Sequence, residues 1–255
     1  MAPMRGLSAT LDRNDPEPKL GDALPPLWHW LYFLPHTQQS ELGPDGHAAK
    51  GGFLPPVPLP RRMWAGSRFE WHSPICVSDT IERTSSVQSV QHKIGKSGDL
   101  VFVKVLHELR NGTQLCLSEE HDIVYKSAPL ENEMAAQPTP AAKLLVPELT
   151  LWQREVVPDD VLLFRYSALT FNGHRIHYDR SYVTQQEGYP GLVVHGPLIA
   201  TLLVDVLRRN TDRTLKKFEF KAIRPSFECA DGRSIKLMAH TKDNLHVNLW
   251  AQDHE

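Results

Sequence analysis

Apolar and polar positions alternate through residues 68–125, and farther on the spacing changes to threes and fours. Strand-like runs fall at 68–71, 80–84, 87–91, 100–106 and 116–125. Lys96-Ser97-Gly98-Asp99 and Arg110-Asn111-Gly112-Thr113 mark hairpin turns, so this part reads as an antiparallel meander. Before it, Pro26–Phe33 reads as a short helix, with prolines suited to its start and Pro35 to its stop. The second half reads as a short strand at 161–166, a helix-capable stretch at 175–185 and a tight turn at Gly188–Gly191. Then Leu198, Ile199, Leu202, Leu203, Val206 and Leu207 give one apolar face to a helix over Pro197–Arg208. Strands follow at 217–223, 234–240 and 245–251. A long apolar helix with an antiparallel sheet predicts an α+β unit in which a curved sheet wraps the helix. The first half shows such a sheet without an equally apolar helix, and reads as a degraded counterpart.

The 255 residues leave room for two units of about 120 residues. Ala135-Ala136-Gln137-Pro138-Thr139-Pro140-Ala141-Ala142 has linker composition. The expected division is therefore an N-terminal unit over 1–126, a linker over 127–145 and a C-terminal unit over 146–255. Residues 1–20 offer little to bury and are expected to be weakly ordered. The Gly- and Pro-rich segment 37–60 is either a covering loop, placed over an active site, or a surface excursion.

Net charge is −2, which points away from general nucleic-acid or membrane binding. No apolar run reaches the roughly 18 residues of a membrane span, and the polar N-terminus lacks a signal-peptide core, so a cytoplasmic protein is expected. Cys76, Cys116 and Cys229 are odd in number and widely spaced, which argues for three thiols and against a disulfide framework or a zinc knuckle.

The densest chemistry lies in Phe164–Asp179, where Asn172, His174 and His177 fall within six positions. His174 and His177 would share a face of a helix. Asn172 and His177 converge only if Asn172 lies in a loop before that helix, with Gly173 permitting the turn. A neutral imidazole can take a proton from water and return it, while a carboxamide can only orient that water. The partner of His177 is thus either Asn172 or His174. An HxxH pair could also be half of a metal site, but neither His195 nor Asp179 makes an evident third ligand, and no metal or cofactor is expected. Val194-His195-Gly196-Pro197 opens the long helix, and the free N–H of Gly196 there could polarise a carbonyl.

Tyr166, Leu169, Thr170, Asn172, His174, Ile176 and His177, followed by Val194-His195-Gly196 at a helix start, resemble the MaoC-like hydratase/dehydratase signature. Thr170, Phe171, Asn172, His174 and Arg175 depart from it, and Asn172 stands where the family has an aspartate. The whole run 166–198, with Trp28–Phe33 and Gly51–Gly66, is similar to two-part enzymes of this family. These are the mesaconyl-C4-CoA and itaconyl-CoA hydratases and the type 2 hydroxyacyl-thioester dehydratases. The resemblance covers the chain from about residue 24.

The resemblance implies an α+β double hot-dog fold with one working site, mainly from the C-terminal half. It implies a CoA-thioester substrate, hydration of itaconyl-CoA or mesaconyl-C4-CoA to citramalyl-CoA, and, by analogy, a homodimer. Asn172, His177 and Gly196 are the expected catalytic groups, supported by His174, His195 and Tyr166. Arg62 is the candidate for a free carboxylate, and Lys221 and Arg224 for the CoA phosphates. Two rival readings are a 3-hydroxyacyl-thioester dehydratase of fatty-acid synthesis and a non-catalytic acyl-CoA binder.

Overall fold

The computed structural model describes residues 1–95, 98–127, 150–229, 232–241, 243 and 245–253. The expected linker lies outside the described residues, apart from its first position. The chain divides into two compact units. One comprises Pro16–Leu130 with Thr214–Ile223, and the other Ala2–Asp15, Glu131–Arg213 and Arg224–Glu255.

The first unit is a five-stranded antiparallel sheet ordered β2-β3-β4-β1-β6. Its strands are β1 (Arg61–Trp71), β2 (Ile81–Gly95), β3 (Gly98–Asn111), β4 (Gln114–Lys126) and β6 (Lys217–Lys221). β2 pairs with β3 and β3 with β4, as both expected hairpins require; Lys96 and Ser97 of the first turn lie outside the described residues, and Gly112 takes the positive φ (56°) that the second turn needs. The runs 80–84 and 87–91 are one strand, with a register shift between Val87 and Ser89. The predicted helix near residue 30 is a single 3-10 turn, Trp28–Leu31. Leu54, Val57 and Leu59 of the Gly/Pro-rich segment pack on Val103, Val105, Ile123 and Tyr125, so this segment covers one face of the sheet.

A buried carboxylate sits in this unit. Glu119 accepts from Ser67 Oγ (3.0 Å) and lies near His121 Nδ1 (3.1 Å) and His29 Nε2 (3.4 Å). The imidazole partners hold Glu119 well below the usual carboxylate range, against burial, which pushes it up.

The second unit holds a three-stranded antiparallel sheet ordered β5-β7-β8, from β5 (Trp152–Val156), β7 (Ile235–Thr241) and β8 (Val247–Gln252). Its helices are α1 (Ala2–Thr10), α2 (Asp160–Thr170), α3 (Arg180–Gln185) and α4 (Gly196–Asn210). The expected apolar face of α4 is buried at Leu198, Ile199, Leu202, Leu203 and Val206, and the helix packs on all three strands.

Three expectations are corrected. Residues 161–166 form helix, not strand. Asp159 caps α2 by accepting from Leu162 N (2.8 Å), and burial falls at Leu163, Tyr166 and Ser167, a helical spacing. Residues 1–20 are not weakly ordered throughout, because α1 buries Met4, Leu7 and, just beyond it, Leu11. Arg13 then pairs with Asp205 (2.8 Å), a buried carboxylate on α4 that Arg154 and Arg209 also reach. Unit membership also departs from the simple halves: the N-terminal helix joins the second unit, and β6 extends the first sheet alongside β1.

Candidate active site

Helix α2 ends at Phe171, which turns the chain in the left-handed region (φ 50°), a role the sequence had suggested for Gly173. Asn172 therefore lies in a loop, as convergence with His177 requires. Its backbone N–H donates to Ser167 O (2.9 Å), and its Oδ1 accepts from His174 N (3.0 Å). The carboxamide oxygen thus closes its own turn, and the NH2 group is the part left to hold a water.

A 3-10 turn, Arg175–His177, follows. The side chain of His177 is buried, and its Nδ1 lies 2.7 Å from the carbonyl oxygen of Val193. A carbonyl only accepts, so Nδ1 carries the hydrogen and Nε2 carries the basic lone pair. Val193 is itself held on both sides of its peptide plane. Its N–H donates to Ile176 O (2.9 Å), and the next amide, Val194 N, donates to Ser226 O (2.8 Å). Glu228 fixes the same strand by accepting from Leu192 N (2.8 Å) while it pairs with Arg180.

His195 stacks on His177, with ring centroids 3.6 Å apart and planes 16° from parallel. It is fully buried, Tyr166 meets it edge-on (5.2 Å), and its Nε2 lies 2.8 Å from Ser167 Oγ. Its Nδ1 is buried with no hydrogen-bond partner among the described residues. Burial first, then the charges of His177 and His174, push His195 well below the ordinary histidine range. The ring stacked on His177 is thereby kept neutral. His174, also buried, meets His177 edge-on at 5.4 Å.

Directly after His195, α4 begins at Gly196 with Pro197 in its first turn. A helix leaves its first amides without intrahelical partners, and Pro197 has no N–H to offer. The N–H of Gly196 therefore stands at the positive end of a 15-residue helix beside the histidine pair.

The structure so brings together His174, His177, His195 and Tyr166, with Asn172 one turn away and Gly196 adjacent. Sequence reasoning missed Ser167, which joins the Asn172 turn to the His195 ring. It lies inside the recognised run, but only the helical reading of 160–170 points it inward. Asp179 caps α3 through Tyr182 N (2.9 Å) and pairs with Arg175 (2.7 Å), so it is committed away from the histidines. Of the binding candidates, Arg224 is paired with Asp253, Lys221 is exposed on β6, and Arg62 lies at the start of β1 in the first unit.

The family model of hydroxyacyl-thioester dehydratase type 2 matches residues 27–228. The chain belongs to this family. It is accordingly a hydro-lyase of the hydratase/dehydratase kind. It is 46% identical to the mesaconyl-C(4)-CoA hydratase of Chloroflexus aurantiacus over 89% of this chain and 80% of that protein. It is 29% identical to the mitochondrial hydroxyacyl-thioester dehydratase type 2 of Schizosaccharomyces pombe over 99% of this chain and 91% of that one. Two solved structures share the fold at low identity. HtdX of Mycobacterium tuberculosis (15% identical, TM-score 0.65) covers 99% of this chain and 89% of its own. A MaoC-like dehydratase from Phytophthora capsici (13%, TM-score 0.70) covers 99% and 86%. The fold class is thus the α+β double hot-dog that the sequence led us to expect. No helix among the described residues is long and apolar enough to cross a membrane.

Proposed function

We propose that this family member adds water to the double bond of a CoA thioester whose acyl group carries a second, free carboxylate, as in mesaconyl-C4-CoA. The observation that carries the chemistry is the Val193 O to His177 Nδ1 hydrogen bond, which directs a basic Nε2 away from the backbone. The 46% identity to a mesaconyl-C(4)-CoA hydratase supports the choice of acyl group.

In the proposed cycle, Nε2 of His177 takes a proton from a water that the Asn172 NH2 orients. The hydroxyl adds to the β-carbon of the enoyl group. Charge passes to the thioester oxygen, which the Gly196 N–H at the helix N-terminus stabilises. The imidazolium then returns its proton to the α-carbon, so one water is consumed and His177 is regenerated. Tyr166, Ser167 and His195 position the base and keep the layer beneath it neutral. His174 borders His177 on its other side.

The substrate reading extends to itaconyl-CoA as a further substrate, citramalyl-CoA as the product and itaconate degradation in the cytoplasm as the setting. It also includes Lys221 and Arg224 as groups for the CoA phosphates, and a homodimer by analogy with hot-dog proteins. A hydration assay over a panel of enoyl-CoA esters, with and without a free carboxylate, tests the central part. Mesaconyl-C4-CoA should turn over faster than uncharged esters of equal length. Preference for long uncharged enoyl chains would instead favour the fatty-acid dehydratase reading, which the Schizosaccharomyces pombe relative supports. Tight ester binding without turnover would favour the non-catalytic binder.

A further inference from the structure

The first unit contains a group of cationic side chains that the hydration chemistry does not use. Arg62 of β1 and Tyr125 of β4 are direct cross-strand partners, so their side chains share a face of the sheet. That face is the one covered by Leu54, Val57 and Leu59. Tyr125 is fully buried, and the guanidinium of Arg62 lies within reach of its hydroxyl. A guanidinium only donates, so the hydroxyl's own hydrogen has no acceptor among the described residues.

Charge surrounds this hydroxyl. Lys50 Nζ lies over the Tyr125 ring, 5.9 Å from its centroid, and donates to Leu59 O. No carboxylate among the described residues pairs with half-buried Arg62. Its guanidinium lies near enough to oppose the rise that burial imposes on Tyr125, and to push Lys50 and His47 down, adding to their burial. The one nearby acid, Asp45, is committed to His47, accepting from its backbone N–H (3.0 Å) and pairing with its ring (2.9 Å). The loop bearing these groups is braced by a Leu42–Ala48 bridge and by Ala49 N donating to Glu41 O (2.9 Å). The donors are therefore held in place before any ligand arrives.

We propose that Arg62, Lys50 and the Tyr125 hydroxyl form a carboxylate-binding site within the first unit. A planar guanidinium matches the two oxygens of a carboxylate, the ammonium adds charge, and the hydroxyl supplies the third donor. The carboxylate is that of a free short dicarboxylic acid, and its binding does not rest on the proposed function above.

Titration calorimetry of the full chain with free mesaconate tests the site without relying on turnover. Wild type and His177→Gln should bind alike. Arg62→Gln should bind at least about tenfold more weakly, and Tyr125→Phe and Lys50→Gln a few fold more weakly. Thermal melts and circular dichroism identify any variant that has not folded, and Arg62→Lys, which keeps the charge without the fork, replaces Arg62→Gln if that one fails. No binding by the wild type, undiminished binding by folded Arg62 and Tyr125 variants, or stronger binding of inorganic phosphate than of mesaconate would each overturn the proposal.

Discussion

Replacing Ser167 with alanine removes the hydrogen bond made by the fully buried His195 ring, at 2.8 Å. Nδ1 of that ring is already unpartnered, so the variant leaves both nitrogens unsatisfied in the interior. Leaving one buried polar atom unpaired costs about 1–3 kcal/mol. Taking about 2 kcal/mol, the melting temperature should fall by about 4–8 °C for a chain of this size. The catalytic consequence follows from the stack. His195 lies 3.6 Å beneath His177, and a ring free to rotate no longer fixes the plane of the base. If the same 2 kcal/mol is felt in the transition state, kcat falls roughly thirtyfold. KM should change little, because Ser167 is not assigned any contact with the substrate. Differential scanning fluorimetry and loss of enoyl-thioester absorbance read the two effects. A Ser167→Ala protein with wild-type melting temperature and wild-type kcat would refute the claim that this hydroxyl holds His195 in place.

Other substitutions probe the frame. Glu228→Gln keeps the shape but weakens the bond to Leu192 N and the pairing with Arg180, and should cost about 1–3 kcal/mol and lower kcat by shifting the Val193 carbonyl. Gly66→Ala places a Cβ 2.2 Å from the backbone oxygen of Phe220, at a φ of 156°, and should displace β6 from β1. Hydrogen exchange across 217–221 would show that loss. The first unit should also weaken in acid. Burial pushes His107 down to about 4, so between its ordinary value and about 4 the unfolded chain binds the proton that the folded one refuses. Stability therefore falls as pH drops through that window, by at most about 3 kcal/mol. Glu119 adds a further loss as pH falls below the ordinary glutamate range, because its folded form resists protonation. Melting temperatures of the wild type and His107→Phe from pH 7 to pH 4 should converge toward acid; parallel curves would refute the His107 assignment.

The meander of the first unit and the long α4 helix were legible because alternation and helical spacing run for many residues. The strand misreading at 161–166 arose from four consecutive apolar residues, Val161 to Phe164. Two of them, Val161 and Phe164, are exposed, so hydrophobicity there did not mark the core. The cap at Asp159 was the better signal. Helix α1 was hidden because what stabilises it is distant in sequence: Arg13 reaches Asp205, 192 positions away. Composition could not show that β6 returns to pair with β1 after the long helix. At the site, the recognised run names His174, His177 and His195, whose rings meet in the structure. It did not show that Asn172 spends its oxygen on the His174 amide, or that a backbone carbonyl fixes the tautomer of His177. Both depend on turns for which period-based reading has no rule.

The central claim is that His177 Nε2 carries the proton. Single-turnover hydration by His177→Gln, with the melting temperature measured alongside, tests it most directly. Glutamine retains a donor that can reach the Val193 carbonyl but has no titratable nitrogen. The account predicts a folded protein that binds the CoA ester normally and hydrates it at least about a hundredfold more slowly, the usual worth of a general base. A folded His177→Gln variant turning over within a few fold of the wild type would contradict it.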